Sequence, residues 1–346
     1  MMENSRARKK ASRPYCFMKN PGPAQTTVTI IIVTWNSARE IVDCLRPIMN
    51  LPENWEIWIS DNDSRDETVN LVKEKFPRVF VLENGENLGF AKGCNRVIER
   101  VNSDFILLLN PDTAPETAEL IEVLRSAQAV DNLGAYGVKT ISPDGSLQPS
   151  CFAFPSVTTT ALDSLGLYRF FRREWLADVL FDEFFDHQTS KRVDWLAGCF
   201  VLVPTQLARE IGGVPEDYFL FGEDIDLCYR LRQAGYDIIF NPVYAIIHRG
   251  NQSAGRLGNE WRIERTLLSK YAFCFKYYGL LRTRVIQLCD LCGYFWAGRW
   301  LAWRRPGLPL IEEWGIYRRY VTKALRMSRR ELFELLNQPP VQELDR

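Results

Sequence analysis

Asn110 and Asp112, separated only by Pro111, follow directly on Leu107, Leu108 and Leu109. Three consecutive leucines need a covered apolar setting, so the polar pair stands where a buried strand reaches the end of its sheet. A carboxylate held there on a proline-stiffened turn can ligate a hard cation such as Mg2+ or Mn2+, which shares its remaining positions with substrate phosphates. An Asp in a turn is ordinarily just a turn former. Asp112 stands out because Thr34 and Asn36 follow the apolar run 28–33, and Asp61 follows the run 55–60. Glu223 and Asp224, in "FLFGEDIDLCYRLRQAG", form a second carboxylate pair. They open a predicted helix whose dipole is expected to keep them ionised at neutral pH, ready to accept a proton from a hydroxyl nucleophile. His248 ends an apolar run and is either structural or a metal ligand. His187, the only other histidine, is expected on the surface.

The elements that must position these groups are legible as alternation. Residues 28–33, 55–60, 78–84 and 104–110 read as strands. Helical spacing of Ile41, Leu45 and Ile48, then of residues 67–76 and 91–101, fills the gaps between them. Such alternation implies a parallel sheet wound by right-handed crossovers, with ligands beyond the carboxyl ends of its strands. Thr34 to Asn36, Asp61 to Asp63, Asn84 to Asn87, and Asn110 with Asp112 are therefore expected to converge on one cleft. Asp63 or Ser64 is expected to cap the second helix. Asp61 comes too early for that and is expected to point into the cleft. "NLGFAKGCN" places Gly89 before a helix, where backbone can approach a phosphate or ribose. It lacks both GxGxxG and GxxxxGK[ST], so neither dinucleotide binding nor P-loop NTP hydrolysis is supported. Later, 193–204 reads as a strand, 222–235 as a helix closed by Gly235, and 236–248 as one or two strands. Asp226 and Arg230 are spaced for an ordinary helical salt bridge. Residues from about 260 to 330 read as helical, broken at Pro306 and Pro309.

With 346 residues, 46% hydrophobic and 25% charged, the chain is a globular protein of one large domain or two small ones, not a disordered one. Net charge is zero but uneven. Residues 1–19 carry six basic side chains against Glu3, and Arg282 to Arg330 carry eleven against three acids, an excess of eight. Such flanks can attract nucleic acid or anionic lipid, or can be solvated faces. Nine cysteines, an odd number with no paired framework, favour reduced thiols and a cytoplasmic protein. The N-terminus lacks an apolar stretch behind its charges and reads as a loose arm rather than a signal. The apolar stretch 285–303 is interrupted by Asp290 and Arg299 and falls short of the roughly 20 residues of a membrane span.

In order, "VTIIIVTWNS", "ISDNDSRDET", "NLGFAKGCN", "FILLLNPDT", "DWLAGCFVLV", "GGVPEDYFLFGEDIDLCYRLRQAG" and "HRGNQSAG" resemble the family 2 glycosyltransferases of GT-A fold. The likeness is strongest to bacterial rhamnosyltransferases of cell-wall and O-antigen synthesis, and covers roughly residues 27 to 280. The resemblance implies an α/β fold with a Rossmann-like, mostly parallel sheet flanked by helices, followed by a C-terminal helical extension. Together with the charge and helical patterning, it divides the chain into a basic arm (1–26), a GT-A domain (27–258), a helical region (259–330) and a tail (331–346). It implies that Asp61 contacts the nucleotide base, with Thr34, Asn36, Gly89, Asn95 and Asn110 also on the donor side. The family's DxD element here reads Asn110-Pro111-Asp112, with an amide in place of the first carboxylate. Asp112 and His248 would hold Mg2+ or Mn2+, Asp224 would be the catalytic base, and Trp195, Gly198 and Glu223 would shape the sugar and acceptor pocket.

The implied reaction is an inverting transfer of one sugar, rhamnose from dTDP-rhamnose, to a hydroxyl of a glycan or polyprenyl-linked glycan. The QxxRW motif of processive members is absent. Expected partners are the nucleotide-sugar donor and the glycan acceptor. The helical region, with Leu288, Leu291, Cys292, Phe295 and Trp296 on one face and arginines around it, would meet an anionic membrane surface or a second subunit. Nucleic acid is not among the expected partners. Location would be cytoplasmic, peripheral on the inner face of the plasma membrane. A silent sugar-nucleotide scaffold and a nucleotidyltransferase are the competing readings.

Overall fold

The computed structural model describes residues 25–181, 184–250, 258–304 and 310–339, with side chains except those of 297–304 and 310–312. The basic arm falls outside the described residues but for its last two positions. So do 251–257 of "HRGNQSAG", the breaks at Pro306 and Pro309, and the side chain of Arg299.

Twelve strands are described: β1 (Val28–Thr34), β2 (Trp55–Asp61), β3 (Phe80–Glu83), β4 (Phe105–Leu109), β5 (Thr113–Ala114), β6 (Leu133–Ile141), β7 (Leu147–Gln148), β8 (Cys151–Phe152), β9 (Lys191–Val193), β10 (Trp195–Leu196), β11 (Phe200–Pro204) and β12 (Asp237–His248). The helices are α1 (Ile41–Leu45), α2 (Thr68–Lys75), α3 (Gly89–Ile98), α4 (Thr117–Gln128), α5 (Val157–Ser164), α6 (Arg173–Val179), α7 (Thr205–Glu210), α8 (Glu223–Gln233), α9 (Asn259–Tyr277), α10 (Gly279–Arg304), α11 (Leu310–Arg326) and α12 (Arg329–Leu336).

The main sheet runs β3-β2-β1-β4-β11-β6-β12-β5. Its first four strands are parallel, as the alternation predicts. Beyond β4 the pattern changes, because β11 enters antiparallel between β4 and β6. β6 and β12 then pair in parallel. The apolar runs are continuous because the sheet is covered on both faces. Ile30 and Ile32 pack on one side with Leu107, Leu109 and α4, while Ile31 packs on the other with Ile106, Leu108 and α3.

Two strand boundaries differ from expectation, each for a local reason. The stretch 193–204 is three short strands, interrupted by a turn at 197–199. Residues 237–248 form one strand whose register shifts between Asn241 and Ala245. Pro242 lies in that shift and has no N–H to give to a ladder.

The C-terminal helices pack onto the sheet domain through a third core that joins Tyr218 and Ile225 to Leu268, Tyr271, Phe273, Val321 and Leu332. Asp290, which interrupts an apolar stretch of sequence, is fully buried inside this layer. It accepts from Lys270 (2.9 Å), the Tyr271 hydroxyl (2.8 Å) and the Ser164 hydroxyl (2.5 Å). The tail expected from residue 331 begins inside α12, whose Leu332 and Leu336 are buried and whose Leu336 carbonyl accepts from Phe219 N. Among the described residues no helix is long and apolar enough to cross a membrane.

Candidate active site

The turn after β4 is fastened from two directions. Thr113 donates to the Asn110 carbonyl (2.7 Å), and Asn110 N donates to the Cys199 carbonyl (3.1 Å). β5 pairs with the end of β12, setting His248 opposite Thr113, and Arg249 N donates to the Asp112 carbonyl. This pairing brings His248 Nε2 to 3.3 Å from Asp112 Oδ1, with both side chains largely buried.

Gln148, which sequence reading did not single out, decides what His248 presents there. Its amide nitrogen donates to Ser142 (2.8 Å) and to the His248 carbonyl (2.9 Å), so its Oε1 faces His248 Nδ1 at 2.9 Å. An acceptor at that place requires Nδ1 to carry the proton. That leaves Nε2, which is buried without a hydrogen-bond partner, as the nitrogen turned toward a carboxylate oxygen and free to act as a ligand. Two electron-rich atoms are stable at that spacing when a cation or proton serves both. Neighbouring ligands in an octahedral shell of ligand distance about 2.1 Å lie about 3 Å apart, so the pair fits a divalent cation. No group of three or more His, Cys, Asp or Glu side chains is clustered for a metal among the described residues, which leaves further positions to phosphate and water.

The ends of β1 and β2 meet as expected, but Asp61 does not extend freely into the cleft. It is almost fully buried and accepts from Thr34 Oγ1 (2.7 Å), Ser64 Oγ (2.6 Å) and Ser64 N (2.9 Å). Asn36 adopts a left-handed conformation (φ 51°) and accepts from Arg65 N through Oδ1 (2.7 Å). These bonds shape a pre-formed wall from Thr34, Asn36 and Asp61. The helix cap also differs from expectation. Asp63 takes a left-handed turn, and Asp66 Oδ1 receives the Thr68 N–H.

Gly89 and Asn95 have other work. A side chain at Gly89 would place Cβ 2.2 Å from the Phe219 carbonyl oxygen, and φ is +77°. The glycine thus permits an approach of protein backbone. Asn95 spends both amide hydrogens on the Val214 carbonyl and Glu216, and accepts from Val214 N. Both residues are thus engaged by protein, the glycine by close approach and Asn95 by hydrogen bonds. Together they fasten the loop that precedes α8.

That loop delivers Asp224. Gly222 caps α8 with φ +101°, where a Cβ would meet Ser269 and Tyr218 at 2.8 Å. Asp224 is half-buried. Its Oδ1 accepts from Ile225 N (2.8 Å) and its Oδ2 from Gly198 N (3.2 Å). Gly198 and Cys199 occupy the turn that splits the strand expected at 193–204. One end of this dipeptide holds the Asn110 turn and the other holds Asp224. The proximity of Asp112 and Asp224 helps burial push the Cys199 thiol up to about 12. Trp195 borders the same turn, stacked on Phe152 at 4.4 Å and donating to the Ala153 carbonyl.

The helix dipole does not win at the α8 start, because burial outweighs it. Desolvation raises Asp224 above the ordinary carboxylate range, and burial followed by the charge of Asp224 pushes Glu223 up to about 8. Glu223 Oε2 is buried without a partner. The folded protein therefore holds a proton that the unfolded chain releases near pH 4.5, and stability falls as pH rises from there through about 8. Glu223→Gln should match the parent in thermal melts near pH 5 and exceed it by roughly 2 kcal/mol near pH 9, part of the ~5 kcal/mol that the full shift would allow. Equal melts at both pH values would remove Glu223 as the source. His187 is likewise not on the surface. It is fully buried between Phe185 and Phe240, with Cys151 Sγ at 3.5 Å.

Residues 29–150 match the family model described as glycosyl transferase family 2. An N-acetylglucosaminyl-diphospho-decaprenol L-rhamnosyltransferase of Mycobacterium tuberculosis is 28% identical over 211 residues, 58% of this chain and 68% of that protein. The rhamnosyltransferase WbbL of Escherichia coli is 36% identical over 77 residues, 21% of this chain and 29% of its own. Among solved structures, the mannosyltransferase PcManGT of Pyrobaculum calidifontis, in complex with GDP-Man and Mn2+, superposes with a TM-score of 0.55 at 17% identity. The superposition covers 92% of this chain and 89% of that one, a likeness of fold. Residues 29–150 are thus a family 2 glycosyltransferase domain, in a chain of GT-A-like fold whose relatives include rhamnosyltransferases.

Proposed function

We propose that the protein transfers a single rhamnosyl unit from dTDP-rhamnose to a hydroxyl of a glycan or polyprenyl-linked glycan, with inversion at the anomeric carbon. The observation that carries this reading is the Gly198-Cys199 turn, bonded at one end to Asn110 and at the other to Asp224. That shared turn supports reading Asn110 and Asp224 as the diphosphate side and the proton-accepting side of one site. The relatives that are rhamnosyltransferases, one of them acting on a decaprenol-linked sugar by name, support the donor and acceptor classes.

In this mechanism Thr34, Asn36 and Asp61 form the wall against the nucleotide, and Asn110 offers its amide to the donor. Asp224 takes the proton of the acceptor hydroxyl as that oxygen bonds to the anomeric carbon. The nucleoside diphosphate leaves with the electron pair of the broken bond, and a single displacement inverts the centre. Asp112 and His248 would hold Mg2+ or Mn2+, whose charge offsets that gathering on the leaving diphosphate. Trp195, Gly198 and Glu223 lie around Asp224, where sugar and acceptor meet.

A screen of nucleotide sugars for transfer and hydrolysis, with and without Mg2+ or Mn2+, tests the proposal. Activity should be greatest with dTDP-rhamnose, require the metal, and give product of inverted configuration. Activity with none of them would remove the reading. Gln148→Leu should weaken Mn2+ binding in the presence of nucleoside diphosphate by about 10–100-fold, the usual effect of losing the partner that orients a metal-bound histidine. Unchanged affinity in calorimetry would take His248 out of the metal site.

A further inference from the structure

We propose that the outer face of α10 docks on an anionic phospholipid bilayer. Leu281, Val285, Leu288, Cys292 and Phe295 recur every three or four residues along this helix, with Trp296 beside the last. All six are exposed, Leu281 by 79% and Trp296 by 68%. They make one apolar stripe about 22 Å long at 1.5 Å per residue. The opposite side of the helix fixes this orientation. Ile286 and Asp290 are buried there, and a Cβ at Gly293 would fall 2.0 Å from the Ser164 carbonyl oxygen. The stripe therefore faces outward because the other side is locked, the reverse of a surface helix that turns its polar face to water.

Charge identifies the occupant. Phe295 also lines a cavity of about 750 Å³ between α10 and α11, with Leu291 and Met327 as apolar walls and four cationic side chains. Arg319 is paired with Glu260 (2.6 Å) and Lys323 with Glu264 (2.8 Å). Arg318 and Arg326 have no acidic partner among the described side chains, and Arg318 Nε is buried without a hydrogen-bond partner. Hydrocarbon walls with unpaired guanidinium groups match a lipid phosphate and the start of its acyl chains. Just past Ser164, which is bonded to Asp290 of α10, the segment 165–175 exposes Phe170, Phe171 and Trp175 amid Arg169, Arg172 and Arg173. Aromatics interleaved with arginines suit the headgroup layer.

The test is sedimentation of the full chain with vesicles of phosphatidylcholine, with and without phosphatidylglycerol. No donor or acceptor is present, so the outcome is independent of the active-site reading. Binding should require phosphatidylglycerol and weaken with salt. The double variant Leu288→Ser/Trp296→Ser, and separately Arg326→Glu, should each reduce it roughly tenfold with unchanged thermal melts, since the replaced groups are exposed. Absence of binding by the parent, or equal binding by both variants, would overturn the proposal. So would a parent dimer that the double variant dissolves in sedimentation velocity, which would assign the stripe to a second copy.

Discussion

Asp224→Asn is expected to lower sugar transfer by roughly 10²–10⁴-fold, the range that a positioned general base supplies, while donor affinity stays nearly unchanged. The side chain keeps its volume and one of the two acceptors that now serve Ile225 N and Gly198 N. What asparagine lacks is basicity. The effect of burial on the parent carboxyl has a second consequence. A base with a raised pKa lies nearer the operating pH, so the acid limb of the parent rate profile should sit above the ~3.9 of an ordinary Asp. Donor affinity by calorimetry and transfer by product formation separate the readings. A scaffold that only binds sugar nucleotide would show no transfer for either protein. Transfer by the variant at the parent rate would show that the proton leaves by another route.

The parallel half of the sheet was legible in the sequence because its central strands β1 and β4 are buried on both faces and all four strands end in a polar cluster. β4 is the clearest case: Phe105 to Leu109 are all buried, and Asn110 and Asp112 mark its end. The antiparallel insertion was not legible. The run 193–204 is apolar on both sides of Gly198, and periodicity does not reveal a break caused by a backbone hydrogen bond to a helix 26 residues away. The protein contacts of Gly89 and Asn95 were hidden for a related reason. A glycine before a helix looks the same whether its neighbour is a phosphate or, as here, the Phe219 carbonyl. Gln148 lay outside any motif, and its value depends on the position of His248, exactly one hundred residues later in the chain, which only β-strand pairing supplies. The acidity of Glu223 and Asp224 was read from the helix dipole, worth about 0.3–1 kcal/mol at an exposed end. Burial acts on the same groups with a larger opposite effect.

Asp226→Ala is expected to destabilise the protein by about 3–5 kcal/mol, as removal of one member of a buried charge network does. From sequence, Asp226 and Arg230 form an i,i+4 pair, worth about 0.3–0.5 kcal/mol on a solvated helix. The fold changes the magnitude by burying the carboxylate completely. Besides Arg230 Nε (3.1 Å), it accepts from Lys276 Nζ (2.6 Å), Tyr277 OH (2.5 Å) and Tyr218 OH (3.2 Å). Among the described residues, alanine would leave Lys276 and Arg230 with Asp217 as their remaining carboxylate, at 2.5 and 3.7 Å, and that carboxylate is itself partly exposed. Because Lys276 and Tyr277 belong to α9 and Asp226 to α8, the loss falls on the joint between the sheet domain and its helical extension. Urea unfolding followed by the tryptophans measures it. A double variant, Asp226→Leu with Lys276→Met, should recover part of the loss, since apolar replacement of both partners removes the stranded charge. A loss below about 1 kcal/mol for the single variant would mean that water reaches the network and that the helices are held by their apolar contacts.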